Sequence, residues 1–221
     1  RQRTSVNFPA TCQPRPFAQA VSAEQFLVTA LIPVKPLANV KSRLSSRLDL
    51  SRRIALTHDS LRHVIHALKA VPQVNPIVII SRDPQVADWA RSWGVAHLRE
   101  RGRSLNTALR EARAQYAHAP AILVIPSDLA ALSAIDVRGM LALAADSDRC
   151  VVIAPDRHGQ GTNALLLRPP DVIDFQFGPR SAEMHMRRAL DAGAQLRWFR
   201  SDSICLDLDS PEDLALYLDQ W

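Results

Sequence analysis

Asp128 stands just past the apolar run AILVI (121–125), and Asp207 and Asp209 lie in CLDLDSPEDL (205–214). Carboxylates at the ends of buried strands are hard oxygen donors, suited to a cation such as Mg²⁺. Upstream, IPVKPLANVKSRLSSRL (32–48) carries Lys35, Lys41, Arg43 and Arg47. Cations on a loop leading toward a helix N-terminus can neutralise a triphosphate and stabilise charge developing on a transferred phosphoryl group. Two carboxylates from separate strand ends beside such a loop suit metal-assisted phosphoryl or nucleotidyl transfer, in which the ion bridges phosphate oxygens. Each residue also has a plainer reading. A single basic side chain can be a solvated loop residue, and Asp209 can simply flank a helix.

Two further segments carry hydrogen-bonding groups. In DRHGQGTNAL (156–165), Gly159 and Gly161 leave room for close backbone approach, and Thr162 and Asn163 add polar groups; an ordinary surface loop is the alternative. In FGPRSAEMH (177–185), Gly178 and Ser181 precede a helical stretch whose N-terminus favours anions, and His185 sits on its first turns. Together these could hold a second, smaller phosphorylated or carboxylated substrate opposite a nucleotide. The chain has neither a GxxxxGK[ST] loop nor a GxGxxG fingerprint.

These residues need elements to position them. Short apolar runs read as strands: FLVTALI (26–32), PIVII (76–80), AILVI, CVVIA (150–154), NALLLR (163–168), LRWFR (196–200) and ICLDL (204–208). Leu61, Val64, Ile65 and Leu68 follow helical spacing, as do Leu105, Ala108, Leu109, Ala112 and Tyr116. Asp83-Pro84 opens a helix closed by Gly94, Ser133 with Asp136 forms a capping-box pattern, and Ser210-Pro211-Glu212-Asp213 opens the last helix. The order βα, βα, βα and then a β-rich stretch predicts an α/β domain with a mixed, mainly parallel sheet and an inserted β-hairpin. Ligands of such sheets bind beyond the carboxyl ends of the strands. Residues 1–24, with three prolines and no sustained period, read as an extension, and residues 25–221 as one domain.

Composition narrows the class. The 221 residues are 47% hydrophobic and 22% charged, enough for one well-buried core and unlike a disordered chain. A net charge of +5 suits polyanionic ligands such as nucleotides. With dispersed arginines and 5% aromatics, no basic stacking surface for nucleic acid is expected. Cys12, Cys150 and Cys205 are far apart and form no CxxC pair, so neither a zinc site nor a disulfide framework is expected. No apolar run approaches about 18 residues, which predicts a cytoplasmic protein with no membrane span.

Taken together, IPVKPLANVKSRLS, IPSDL, DRHGQGTNALLLRPP, FGPRSAEMH and LDLDSPEDL resemble the 2-phospho-L-lactate / phosphoenolpyruvate guanylyltransferase family of coenzyme F-420 biosynthesis, over roughly residues 27–220. The resemblance implies a single Rossmann-like domain of the nucleotide-diphospho-sugar transferase (GT-A-like) type. It implies GTP and a phosphorylated three-carbon acid as substrates, joined with release of pyrophosphate in the presence of Mg²⁺. On that pattern Asp128 and Asp209 bind metal, with Asp207 the alternative second ligand. Lys35, Lys41 and Arg43 hold the triphosphate and carry the catalytic charge, and Asn106 of RGRSLNTAL (101–109) contacts the nucleoside. Gly161, Thr162, Asn163, Gly178 and Ser181 hold the phosphoacid. Phosphoenolpyruvate is favoured over 2-phospho-L-lactate and 3-phospho-D-glycerate, and a homodimer is left open. The chain departs from the family at Ala130, where many relatives have proline, and at Ser104, where they have glycine. The rival readings are a sugar-nucleotide transferase on the same sheet and a non-catalytic nucleotide-binding protein.

Overall fold

A computed structural model describes residues 26–102 and 104–220; the expected extension over 1–24, with Cys12, lies outside them. In chain order the elements are β1 (Val28–Pro33), α1 (Leu50–Lys69), β2 (Val74–Ser81), α2 (Pro84–Ser92), β3 (Ala96–Arg99), α3 (Leu105–Gln115), β4 (Ala121–Val124), α4 (Ala134–Leu143), β5 (Cys150–Pro155), β6 (Thr162–Arg168), α5 (Ser181–Asp191), β7 (Gln195–Trp198), α6 (Asp202–Cys205) and α7 (Pro211–Gln220). Short 3₁₀ turns at Leu37–Asn39 and Ser42–Leu44 shape the loop between β1 and α1.

The strands form one seven-stranded sheet in the order β3-β2-β1-β4-β6-β5-β7. Only β6 runs against its neighbours; the other pairings are parallel. The apolar runs are explained by helices on both faces. Alternate residues of β1 and β2 such as Ala30, Ile32, Ile77 and Ile79 pack with Leu61, Val64 and Leu68 of α1, while Leu31, Val78, Ile80, Val124 and Leu165 join Leu109 of α3 and Ala189 of α5. Side chains that read as a continuous apolar run thus divide between two cores.

From β1 the chain winds outward through β2 to β3, then returns to place β4 on the other side of β1. The β1/β4 boundary is therefore a topological switch point, where the connections leave a crevice at the carboxyl ends. Because β6 is antiparallel, its first residue Thr162 emerges at that same edge, next to the end of β5. One rim collects the strand ends and the hairpin loop.

The helix boundaries match their sequence signals. Asp83 caps α2 through Gln85 N, Ser133 and Asp136 form a reciprocal capping box on α4, and Ser210 and Asp213 exchange the equivalent bonds at α7. Two expectations are corrected. ICLDL is not a strand: residues 202–205 form one helical turn and the chain continues as a loop past Asp207. Its alternating pattern is overruled by hydroxyl contacts, since Ser201 caps the turn at Ile204 N while Ser201 and Ser203 both donate to Asp136. Second, the sheet has an edge strand, β3, beyond the apolar runs read as strands. Its residues AHLR are only partly buried, and such a strand leaves little apolar signal. Among the described residues, no helix is long and apolar enough to cross a membrane.

Candidate active site

A cleft of about 530 Å³ opens along the rim at the switch point. Lys35, Lys41, Asp128, Thr162, Asp207 and Asp209 are among the groups on its wall, as are Gly161, Asn163, Gly178 and Ser181. Residues from segments far apart in sequence are therefore brought together. A second depression, of about 500 Å³, lies between α1 and α7 beside Asp59, Arg62, His63 and His66. It contains none of the strand-end carboxylates.

Lys41 is at the centre of the cleft's charge. It has a left-handed backbone (φ 46°) and is only 6% exposed. Its Nζ donates to the Leu208 carbonyl at 2.7 Å. Burial lowers its pKa, while Asp128, Asp209 and Asp207 oppose that shift. Lys35 is exposed on the wall, and Arg43 reaches Asp209 Oδ2 at 2.9 Å. Arg47 is exposed and lies off the lining.

The carboxylates divide into two kinds. Asp128 Oδ1 is buried and has no hydrogen-bond partner among the described residues. Asp207 feels burial first and the Asp128 charge second, which together push its carboxyl up to about 6. Asn163 steadies it, donating to the Ile204 carbonyl at 3.0 Å and reaching Asp207 Oδ1 at 3.4 Å. Asp209 instead pairs with Arg43. A buried carboxylate oxygen without a partner among the described residues, beside a second, repelled carboxylate, fits a cation ligand pair. Among the described residues, no three His, Cys, Asp or Glu side chains enclose a metal by themselves. The Asp128–Asp207 pair has donors suited to Mg²⁺, which is usually held by one or two carboxylates and completed by water and substrate phosphates.

On the other wall, the hairpin loop is closed by Asp156. Its carboxylate accepts Gln160 N at 2.9 Å and Gly161 N at 2.8 Å, so these two amides serve the turn. A Cβ on Gly161 would come within 2.6 Å of Asp156 Oδ2, and this close approach is why glycine is needed there. Ala182 N donates to Gln160 O at 3.1 Å, joining the loop to α5, where Ser181 is the first residue. Gly178 has φ 140°, a backbone that L side chains rarely adopt.

His185 is fully buried, and its protonation follows from its partners. The Gln176 amide can only donate, so Nε2 is the acceptor at 2.9 Å. Burial, helped by Arg188, lowers the imidazole pKa to about 4, so the ring is neutral and Nδ1 carries the proton. Nδ1–H therefore donates to Thr162 Oγ1 at 3.0 Å, which leaves the Thr162 hydroxyl proton as a donor for a ligand in the cleft.

Asn106 stands outside the lining. Its carboxamide clamps Phe177, accepting from the amide at 2.8 Å and donating to the carbonyl at 2.9 Å, and so positions the chain entering Gly178. Sequence reasoning passed over Asp156, Arg82 and Glu100, all on the wall. Asp156 was legible as the acceptor opening a glycine turn. Arg82 and Glu100 follow β2 and the edge strand β3.

The guanylyl transferase CofC-like family matches residues 28–218. The chain is similar to the phosphoenolpyruvate guanylyltransferase of Rubrobacter xylanophilus, 43% identical over 190 residues, covering 85% of this chain and 92% of the relative. It is 36% identical to the 2-phospho-L-lactate guanylyltransferase of Methanothermobacter thermautotrophicus, covering 84% and 82% of the two chains. Among solved structures, a protein described as a nucleotide-diphospho-sugar transferase from Desulfovibrio desulfuricans G20 superposes with TM-score 0.69 at 17% identity over 86% of this chain and 85% of that one. A nucleotidyl transferase from Methanothermobacter gives 0.63 at 12% identity over 87% and 96%. These two likenesses bear on the fold, which is the expected nucleotide-diphospho-sugar transferase type.

Proposed function

The chain belongs to the guanylyl transferase CofC-like family and is a nucleotidyltransferase, and on that premise we propose that it transfers GMP from GTP to the phosphate of phosphoenolpyruvate, releasing pyrophosphate, in coenzyme F-420 biosynthesis. The observation that carries this reading is the convergence of Asp128, Asp207 and Asp209 on the buried Lys41 at the switch point, with Asp128 Oδ1 unpartnered among the described residues. The acceptor is the one named for the Rubrobacter xylanophilus relative, with 2-phospho-L-lactate, named for the Methanothermobacter relative, the runner-up.

Asp128 and Asp207 would hold Mg²⁺, with Asp209 beside them under the grip of Arg43. Bound there, Mg²⁺ would neutralise phosphate oxygens as a Lewis acid. Lys41 and Lys35 add positive charge along the triphosphate, and Lys41 is already fixed by Leu208, so little reorganisation is needed. Thr162, with its donor set by His185, and Ser181 at the start of α5 hold the phosphoacid. A lone pair of the acceptor phosphate attacks the α-phosphorus of GTP, and the bonding pair to the bridging oxygen leaves with pyrophosphate. The acceptor is already ionised near neutral pH, so alignment and charge suffice without a general base.

The test is pyrophosphate release from purified protein with Mg²⁺ and GTP, offering phosphoenolpyruvate, 2-phospho-L-lactate and 3-phospho-D-glycerate separately, with ATP as control. Release with GTP and phosphoenolpyruvate is expected. Release only with another acid reassigns the acceptor, and release with none points to a nucleotide-binding protein without this activity.

A further inference from the structure

We propose that Glu100 reads the base of the nucleotide and makes the cleft selective for guanine. The inference rests on the nucleotide-transfer reading above and adds a residue that sets the choice of nucleotide.

Glu100 directly follows β3, and its amide donates to the Ser81 carbonyl at the end of β2. It lies on the cleft wall with its side chain only 13% exposed. Three strand spacings separate β3 from β4, about 14 Å, which sets Glu100 well away from the aspartates. A carboxylate close to a triphosphate would repel it. At the far edge, Glu100 is suited to the uncharged end of a nucleotide instead.

The surroundings support a flat, apolar group. Leu105, the first residue of α3, is 40% exposed, and Pro36, Ile80 and Ala108 share the lining. An exposed leucine that shares the cleft wall with a nearly buried carboxylate combines apolar surface with a fixed acceptor, a common composition for a ligand pocket.

The chemistry of the reader selects the base. Glu100 Oε2 accepts Arg82 Nε at 3.0 Å, and Arg82 Nη2 is tied to the Gly102 carbonyl at 3.1 Å. Oε1 makes no hydrogen bond among the described residues, and Oε2 keeps a second acceptor site. An ionised carboxylate only accepts. Guanine presents two adjacent donors, N1–H and the N2 amine, on its pairing edge. Adenine and cytosine place an acceptor beside their amine, and uracil flanks its single N–H with two carbonyls. A fixed carboxylate therefore satisfies guanine on both atoms and leaves each other base with an unmatched acceptor.

The discriminating ligand is inosine triphosphate, which lacks only the N2 amine. Wild-type protein and Glu100→Gln would be compared for equilibrium binding of GTP and inosine triphosphate by calorimetry, and for pyrophosphate release with phosphoenolpyruvate. A hydrogen bond to a charged group supports a wild-type preference for GTP of roughly 10- to 100-fold, and Glu100→Gln should bring the ratio to within about threefold. If Glu100→Gln does not fold, Glu100→Asp, which keeps a negative charge for Arg82 on a shorter arm, should lower the ratio in the same direction. An unchanged ratio in a folded variant, no wild-type preference over inosine triphosphate, or no binding of GTP would each overturn the proposal. GTP binding with a Glu100-dependent preference but no pyrophosphate release would uphold Glu100 and overturn the transferase reaction.

Discussion

The Nζ of Lys41 donates to the carbonyl of Leu208 at 2.7 Å, joining the first loop to the segment that carries Asp207 and Asp209, 167 residues further along the chain. One cation thereby ties the first loop to the segment that bears two of the carboxylates.

Replacing Lys41 should therefore damage both chemistry and structure. Lys41→Met is expected to reduce pyrophosphate release by at least about 100-fold, the scale of losing a preorganised charge. It should also destabilise the fold by about 2 kcal/mol, because the Leu208 carbonyl loses a charged donor and the neighbouring aspartates lose an opposing charge. Lys41→Arg should not restore activity, since a planar fork cannot replace a point charge donating to one carbonyl. Turnover and urea denaturation of the three proteins check this.

Asp128→Asn should separate activity from stability. Oδ1 has no partner among the described residues to lose, and removing the charge relieves Asp207. Without divalent ions the melting temperature should be unchanged or higher, while pyrophosphate release falls by about 1,000-fold or more. Added Mg²⁺ with GTP should raise the melting temperature of wild type and not of the variant. A parallel loss of stability and activity would count against a metal role.

Thr162→Val removes the hydroxyl that His185 orients and keeps the shape of the side chain. Steady-state kinetics should show KM for the phosphoacid raised by about 10- to 100-fold with kcat nearly unchanged and KM for GTP unaffected, the pattern of lost ground-state binding. An equal rise in both KM values would place Thr162 elsewhere.

His185 should give the fold an acid-sensitive step. Its folded pKa lies near 4, below the ordinary 6.5, because burial disfavours the imidazolium, and Arg188 adds to this. Its other close neighbours, Thr162, the Gln176 amide and the Phe177 ring, carry no charge. Between those pH values the unfolded chain binds a proton that the folded chain does not. Stability is thus complete above about pH 6.5 and falls as the pH drops toward 4, by up to about 3 kcal/mol. Chemical denaturation of wild type and His185→Asn across this range should show the difference in slope.

Particular residues show how far the sequence could be read. The carboxylates, the basic loop and the Gly-Thr-Asn and Gly-Ser segments were recognisable because strand-end position and residue type are local signals, and all of these segments reach one cleft. The caps on α2, α4 and α7 were legible because a cap depends on residues within a turn of each other. Asn106 was legible as a polar residue but not in its contact with Phe177, which lies 71 residues away. The Asp207 segment was misread for the same reason: its strand-like alternation is local, whereas the hydroxyl contacts to Asp136 that turn it into a helical corner span more than 60 residues.

By itself the sequence determined the α/β alternation, the two-sided burial of the sheet and the stock of charged groups at its carboxyl edge, because periodicity and capping act over a few residues. The tertiary structure decided that Asp207 faces Asp128 while Asp209 faces Arg43, that His185 points its proton at Thr162, and that Glu100, held by Arg82, stands on the wall of the same cleft. Those relationships depend on strand order and on hydrogen bonds between distant segments, and no local pattern in a chain carries that information.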